Sequence, residues 1–328
     1  MKVWYDACTG KHVRYGGAIA QRLRKSGHKV MLTTRKHPDT LHLAKSLGET
    51  FIVVGKYDPT SPSTRLEESS NRVIEFSRMF QDDKPDVAVS SQSVELCRAA
   101  FGLGIPIILT ADTPHAEAVN RLTIPLANIV ITSEAIPKPL FRSYGARRIV
   151  QFKGVDEVGW IKDYKPEMSF DYERPLIVVR QIESGAAYAL GKNDVTVELA
   201  RKLASMGHVL FLPRYGRQED DKLMVSEDFV DSARLAAYAD LVVSVGGTLA
   251  REAALQGTPS IVIREFDRIQ VNDYLAKRGF PIFTVNSSDV LEYAEQYLGK
   301  KFDVEARLSK LENPVDLIEK LIIEKEFD

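Results

Sequence analysis

The chain has 328 residues, enough for two ordinary domains, each with its own core. With 44% apolar and 27% charged residues it reads as a globular protein, and a net charge of −1 argues against a general binder of nucleic acid or of anionic membranes. No apolar stretch approaches the roughly 20 residues of a membrane helix, and two cysteines, Cys8 and Cys97, give neither a disulfide framework nor a zinc pattern, so a cytoplasmic setting is expected.

The opening "MKVWYDACTG" reads as a first strand and not as a signal peptide. Strands are predicted at Lys2–Tyr5, Lys29–Thr34, Thr50–Val54, Asp86–Ser90, Pro106–Thr110, Asn128–Thr132 and Arg148–Phe152. Most are nearly all apolar, as parallel strands covered on both faces should be. Helical patterns lie between them at Val13–Ser26, Asp39–Ser46, Arg65–Asp82, Ser93–Phe101, Ala116–Leu126 and Glu134–Tyr144, and "DPTSPSTRLEESS" reads as a mobile loop entering a helix. The stretch Lys153–Pro175 is polar, aperiodic and holds two prolines, so 153–174 is expected to link two domains, 1–152 and 175–328.

Alternation resumes with strands Leu176–Arg180, His208–Leu212, Leu241–Ser244, Ser260–Ile263 and Pro281–Thr284. The helices are Asn193–Met206, Ser232–Ala239, one opened by Thr248, one near Asn272–Lys277, then Asp289–Leu298 and Pro314–Lys325. The expected class is α/β: two Rossmann-like, doubly wound parallel-sheet domains facing each other across a ligand cleft.

The corner "SVGGTLAREAALQGTP" (244–259) sits where a strand hands over to a helix. Gly246 and Gly247 allow close approach to main-chain N–H groups, and the helix start favours an anion. Thr248 can cap the helix or reach a phosphate. Arg251 is a cation in an early turn, disfavoured unless it meets a phosphate or a carboxylate such as Glu252. Glu252 itself suits the two hydroxyls of a ribose. The same glycines also occur at ordinary strand-to-helix turns, so spacing leaves both readings open.

The run "FVDSARLAAYADLVVSVGGTLAREAALQGTP" resembles the nucleotide-sugar motif of GT-B glycosyltransferases, including the lipid-linked N-acetylglucosamine transferase of peptidoglycan synthesis. Ser244, Gly246 and Glu252 fall in register with that motif, and the resemblance implies that the main chain near Val230 holds the base, Glu252 the ribose, and that Asp267 and Gln270 of "FDRIQVNDYL" touch the donor sugar. "TGKHV" is similar to that family's first glycine-rich loop, with Gly10 as its one glycine. Over nearly its full length the chain resembles the domain of unknown function 354 family of predicted glycosyltransferases.

"HAEAVNRLTIPLANIVIT" is also similar to a catalytic segment of non-hydrolysing UDP-N-acetylglucosamine 2-epimerases, with Glu117 as the matching carboxylate. Two of that family's acid–base positions fall near Gln92 and Arg180, neither suited to taking a proton from carbon.

A transferase would place its acceptor near His12, Asp112, His115 and Glu117, with His12 or Glu117 as base and Asp6 or Glu117 orienting the imidazole. Arg180, with the N–H groups of Ser184 and Gly185, would meet the donor diphosphate. Arg214 and Arg217 are weaker candidates, and Cys8 reads as packing. No metal and no cofactor is implied. The expected partners are a UDP-linked donor and an acceptor of unspecified identity, with membrane contact limited to a small apolar patch. Epimerisation and non-catalytic sugar-nucleotide sensing stand as alternatives.

Overall fold

A computed structural model describes residues 1–166, 170–182, 195–213, 223–226, 230–264 and 269–327. Its first sheet contains β1 (Lys2–Ala7), β2 (Lys29–Lys36), β3 (Ile52–Lys56), β4 (Val87–Ser90), β5 (Ile107–Thr110), β6 (Ile129–Ser133) and β7 (Ile149–Phe152). The order is β3-β2-β1-β4-β5-β6-β7, and every neighbouring pair is parallel. The central strands are buried throughout, as their unbroken apolar runs require.

Helix Gly10–Lys25 packs on β1, and Gly16 makes that contact possible. A Cβ there would fall 2.4 Å from the Tyr5 ring. On another part of β1, Trp4 is fully buried, with Phe76 and Phe80 at ring centroid separations of 4.7 and 4.6 Å.

The loop expected from Asp58 is short. Ser61 caps helix Pro62–Met79 by accepting from the Thr64 N–H, while the Thr64 hydroxyl accepts from the Ser61 N–H, a reciprocal capping box. The helix expected over 134–144 shrinks to Lys138–Arg142. Pro137 disfavours helical backbone at the residue before it, and the Glu134 N–H instead extends the sheet ladder to the Phe152 carbonyl.

The second sheet contains β8 (Leu176–Arg180), β9 (His208–Leu212), β10 (Met224–Val225), β11 (Leu241–Ser244), β12 (Ser260–Ile263) and β13 (Ile282–Val285), in the order β10-β9-β8-β11-β12-β13 and again parallel. Strand periodicity divides its core. Ile177 and Val179 join one buried cluster with Phe211 and Val243, while Leu176 and Val178 join another with Leu235 and Ala253.

The chain separates into two compact units, Met1–Trp160 with Glu312–Asp328, and Ile161–Leu311. The division falls inside the segment expected as a linker. Asp156 and Glu157 are 4% and 0% exposed, so this part of the segment belongs to a packed unit and is not a solvated tether. Within the first unit the last helix, Pro314–Ile323, lies on helix Gly10–Lys25. Asn313 caps it, Val315, Ile318, Leu321 and Ile322 face inward, and Arg22 pairs with Asp316 and Glu319. Among the described residues no helix is long and apolar enough to cross a membrane.

Candidate functional site

In an open parallel sheet, ligands favour the carboxyl ends of strands where the order reverses. The first sheet reverses between β1 and β4, and the second between β8 and β11.

At the first reversal, β1 ends in Asp6-Ala7-Cys8 and runs into the helix whose N-cap is Thr9. The Thr9 hydroxyl accepts from the His12 N–H, and the first turn carries no acidic side chain. Lys11 donates to Asp112 Oδ2 (2.5 Å) after β5 and to Asp156 Oδ2 (2.8 Å) after β7. Desolvation chiefly, opposed by Lys11 and reinforced by Asp112 and Glu157, raises the Asp156 pKa to about 6.

His12 Nδ1 accepts the Cys8 N–H at 3.4 Å, and the His12 carbonyl accepts from the Tyr5 hydroxyl at 2.9 Å. Burial of the ring, with Lys11 next to it, pulls the imidazole pKa down to about 3.

Beneath this loop lies a charged cluster. Arg72, fully buried, donates from Nε to the Val54 carbonyl (2.8 Å) and from Nη2 to Asp6 Oδ1 (2.8 Å), and Nη1 meets Glu95 Oε2 at 3.2 Å. Asp6 also accepts from Ser93 and Thr33. Asp6, Cys8 and Glu95 present possible metal-ligand atoms within 4.8 Å of one another, but their cation is already the Arg72 guanidinium. The expected role of Asp6 in orienting His12 is therefore corrected. Its oxygens serve Arg72, Ser93 and Thr33, and a main-chain N–H holds the imidazole instead.

After β4, Gln92 has a left-handed backbone (φ 58°), a conformation that disfavours a residue with a Cβ. Its Nε2 donates to Asn120 Oδ1 at 2.5 Å, and Asn120 in turn donates to the carbonyls of Thr113 and Pro114. The loops after β4 and β5 are thus joined.

Glu117 lies at the surface, on helix Glu117–Thr123. Its side chain is 65% exposed, pairs with Arg121 one turn later, and lines an open depression with Arg121, Pro125, Ser143 and Tyr144. His115 is exposed as well.

At the second reversal, Arg180 stands in register with Ser244. The Ser244 hydroxyl donates to the Gly246 carbonyl (2.7 Å), shaping the turn. Helix Gly247–Leu255 begins one residue earlier than expected, with Gly246 as N-cap, so Thr248 is not the cap. Gly246 has no side chain with which to cap the helix, and the first turn has no acidic residue.

Gly247 serves a purpose not read from the sequence. A Cβ there would lie 2.0 Å from Arg251 Nη1, so the missing side chain makes room for that guanidinium. Arg251 is 5% exposed and donates to Asn272 Oδ1 at 3.1 Å. Glu252 is 1% exposed and accepts from the Ser232 hydroxyl at 2.8 Å. Val230 packs on the core under helix Ser232–Tyr238, whose N-cap is Asp231, and Gln270 opens helix Gln270–Lys277. Ser184, Gly185, Asp267, Arg214 and Arg217 lie outside the described residues.

Sequence reasoning did not single out Lys11, Arg72 or Asp156. Lys11 was visible inside "TGKHV", and Arg72 sits four residues before Phe76 on the inward side of its helix, a charge on an apolar face.

A model of the family described as "Protein of unknown function (DUF354)" matches residues 1–326. The uncharacterized protein MJ0665 of Methanocaldococcus jannaschii is 30% identical over 97% of this chain and 96% of its own length. Among solved structures, the UDP-GlcNAc 2-epimerase of the same organism, in complex with UDP-GlcNAc and UDP, is similar with a TM-score of 0.71, at 15% identity over 99% of this chain and 100% of that one. The UDP-GlcNAc 2-epimerase of Neisseria meningitidis, bound to UDP-GlcNAc, gives 0.68 at 17% identity over 99% of each chain. A glycosyltransferase, SnogD from Streptomyces nogalater, gives 0.60 at 16% identity over 98% of this chain and 99% of that one. At such identities these likenesses establish the fold alone, two Rossmann-like units of the GT-B class.

Proposed function

The chain belongs to the family described as Protein of unknown function (DUF354), and from that premise we propose that it is a nucleotide-sugar enzyme that transfers a glycosyl group from a UDP-linked donor to an acceptor hydroxyl. The observation that carries this reading is the corner after β11. It has a helix start with no side-chain cap and no acidic first turn, next to the register position of Arg180, where the strand order reverses.

In this reading the second unit holds the donor. The main-chain N–H groups at Gly246, Gly247 and Thr248, together with Arg180, take the diphosphate. Glu252 takes the ribose, the main chain at Val230 the base, and Gln270 and Asp267 the sugar. The acceptor oxygen bonds to the anomeric carbon while the bond from that carbon to the diphosphate oxygen breaks. The diphosphate leaves with the electron pair, stabilised by the helix start and Arg180. The hydroxyl proton passes to a general base.

The test is thermal stabilisation against a panel of UDP-sugars, where a donor at 100 times its Kd adds about 2.7 kcal/mol. Glu252→Gln keeps an acceptor for Ser232 and is expected to lose most of the shift with the free protein's unfolding midpoint little changed. A wild-type protein that no UDP-sugar stabilises refutes the reading, and a Glu252→Gln variant that responds normally refutes the ribose assignment.

The similarity to the Methanocaldococcus epimerase favours a second reading, epimerisation of a UDP-N-acetylhexosamine. Incubation with the nucleotide sugar alone in deuterated water separates the two. Deuterium at the second carbon of the sugar supports the epimerase, and its absence, with product formed only when an acceptor is supplied, supports the transferase.

A further inference from the structure

His12 is anchored by its main chain at both polar groups. Its N–H reaches Thr9 Oγ1, and its carbonyl receives the Tyr5 hydroxyl. The ring therefore presents a fixed edge to the Cys8 N–H, which points at Nδ1. An amide N–H can be received only by a nitrogen that carries no proton, so in the neutral ring the proton resides on Nε2. Among the described residues no group accepts from Nε2.

From this geometry we infer that His12 works as a hydrogen-bond donor, presenting Nε2–H to an oxygen of the bound substrate, and is not the base that removes the acceptor proton. The inference rests on the transferase reading for the identity of that oxygen, a hydroxyl or a phosphoryl oxygen, but not for the form of the ring.

The surroundings hold the ring in this form. Lys11 on its own helix and Arg35 from β2 are cations that oppose a second proton. Asp112 after β5 and Asp6 on β1 favour one, but desolvation and the cations prevail. The two carboxylates have cations of their own, Lys11 for Asp112 and Arg72 for Asp6. Protonating Nδ1 would also break the bond from Cys8. A group that releases its proton so far below neutral pH is a poor general base, because such a base works best with a pKa near the operating pH. The proton-accepting part then falls to Asp112, which Lys11 holds in place on the same side of the sheet.

The direct test is the tautomer. In long-range proton–nitrogen correlation spectra of the full chain labelled with nitrogen-15 histidine, the His12 signal is identified by its loss in H12Q. The expected pattern is a protonated Nε2 and a bare Nδ1, unchanged between about pH 5 and 8. A protonated Nδ1, or a ring that titrates within that range, overturns the inference, and no ligand is needed to see it.

The second test uses the UDP-sugar that stabilises the wild type and, with it, an acceptor. H12A is expected to weaken binding about tenfold, the worth of one hydrogen bond. H12Q, whose amide N–H₂ can replace Nε2–H, is expected to recover most of that loss and to retain turnover. If H12Q instead binds normally and loses about 10²–10⁴ in turnover, His12 is the base and the inference fails. A wild type that binds no nucleotide sugar removes the transferase reading, and with it the identity of that oxygen, while the spectra still decide the ring's form.

Discussion

Replacing Arg72 with Met leaves the carboxylates of Asp6 and Glu95, 0% and 7% exposed, without their shared cation and frees the Val54 carbonyl. Breaking a buried ion pair on one side costs about 3–5 kcal/mol, because the remaining charge is neither hydrated nor matched. For a unit of this size each kcal/mol lowers the midpoint by about 2–4 °C, so R72M is expected to melt about 6–20 °C below the wild type. Both tryptophans, Trp4 and Trp160, belong to the first unit, so their fluorescence reports its unfolding selectively. The causal claim is tested by pairing R72M with Asp6→Asn, which removes one unmatched charge. The double variant should be less destabilised than the two single losses added together, with a coupling of at least about 1 kcal/mol. A loss below about 1 kcal/mol for R72M, or strict additivity in the cycle, would refute the view that this cation holds the loop after β1 in place.

Two other sites give equally definite expectations. Gly247→Ala pushes a methyl into the Arg251 guanidinium and should lower stability by about 1–3 kcal/mol in urea unfolding, while Gly247→Ala combined with Arg251→Ala should restore part of it. The folded-state pKa of Asp156, about 6, lies above the ordinary aspartate value of 3.8, so the folded state binds the extra proton between these values. This contribution is fully present below about pH 4 and is lost as pH rises through 6, so Asp156→Asn should gain on the wild type across that window in denaturant titrations and run parallel to it above.

Strand positions were legible because parallel strands buried on both faces leave apolar runs. Leu176–Arg180, His208–Leu212, Leu241–Ser244 and Ser260–Ile263 have the bounds read from sequence. The two-residue strand Met224–Val225 was not, since two residues carry no period. Helix ends moved where capping decided them, as at Ser61 and Gly246. The glycine corner was legible as a special place but not as a packed one, because the space Gly247 leaves is filled by a side chain four residues on. The first unit's charge network was invisible for a different reason. Lys11 and Asp156 are 145 residues apart, and nothing local to either announces the other. His12 was legible as a candidate, but its proton was not, since that depends on where one main-chain N–H points.

The first unit is built from two stretches of chain, with residues 161–311 intervening. During synthesis the second unit is a continuous stretch that can fold as soon as it emerges, while the sheet made earlier waits with the face of helix Gly10–Lys25 uncovered. Only when residues past 311 appear can Ile318 and Ile322 cover it and Arg22 find Asp316. The half made first is thus the half finished last, and a ribosome stalled before that point would hold a nascent chain with greasy surface open to chaperones.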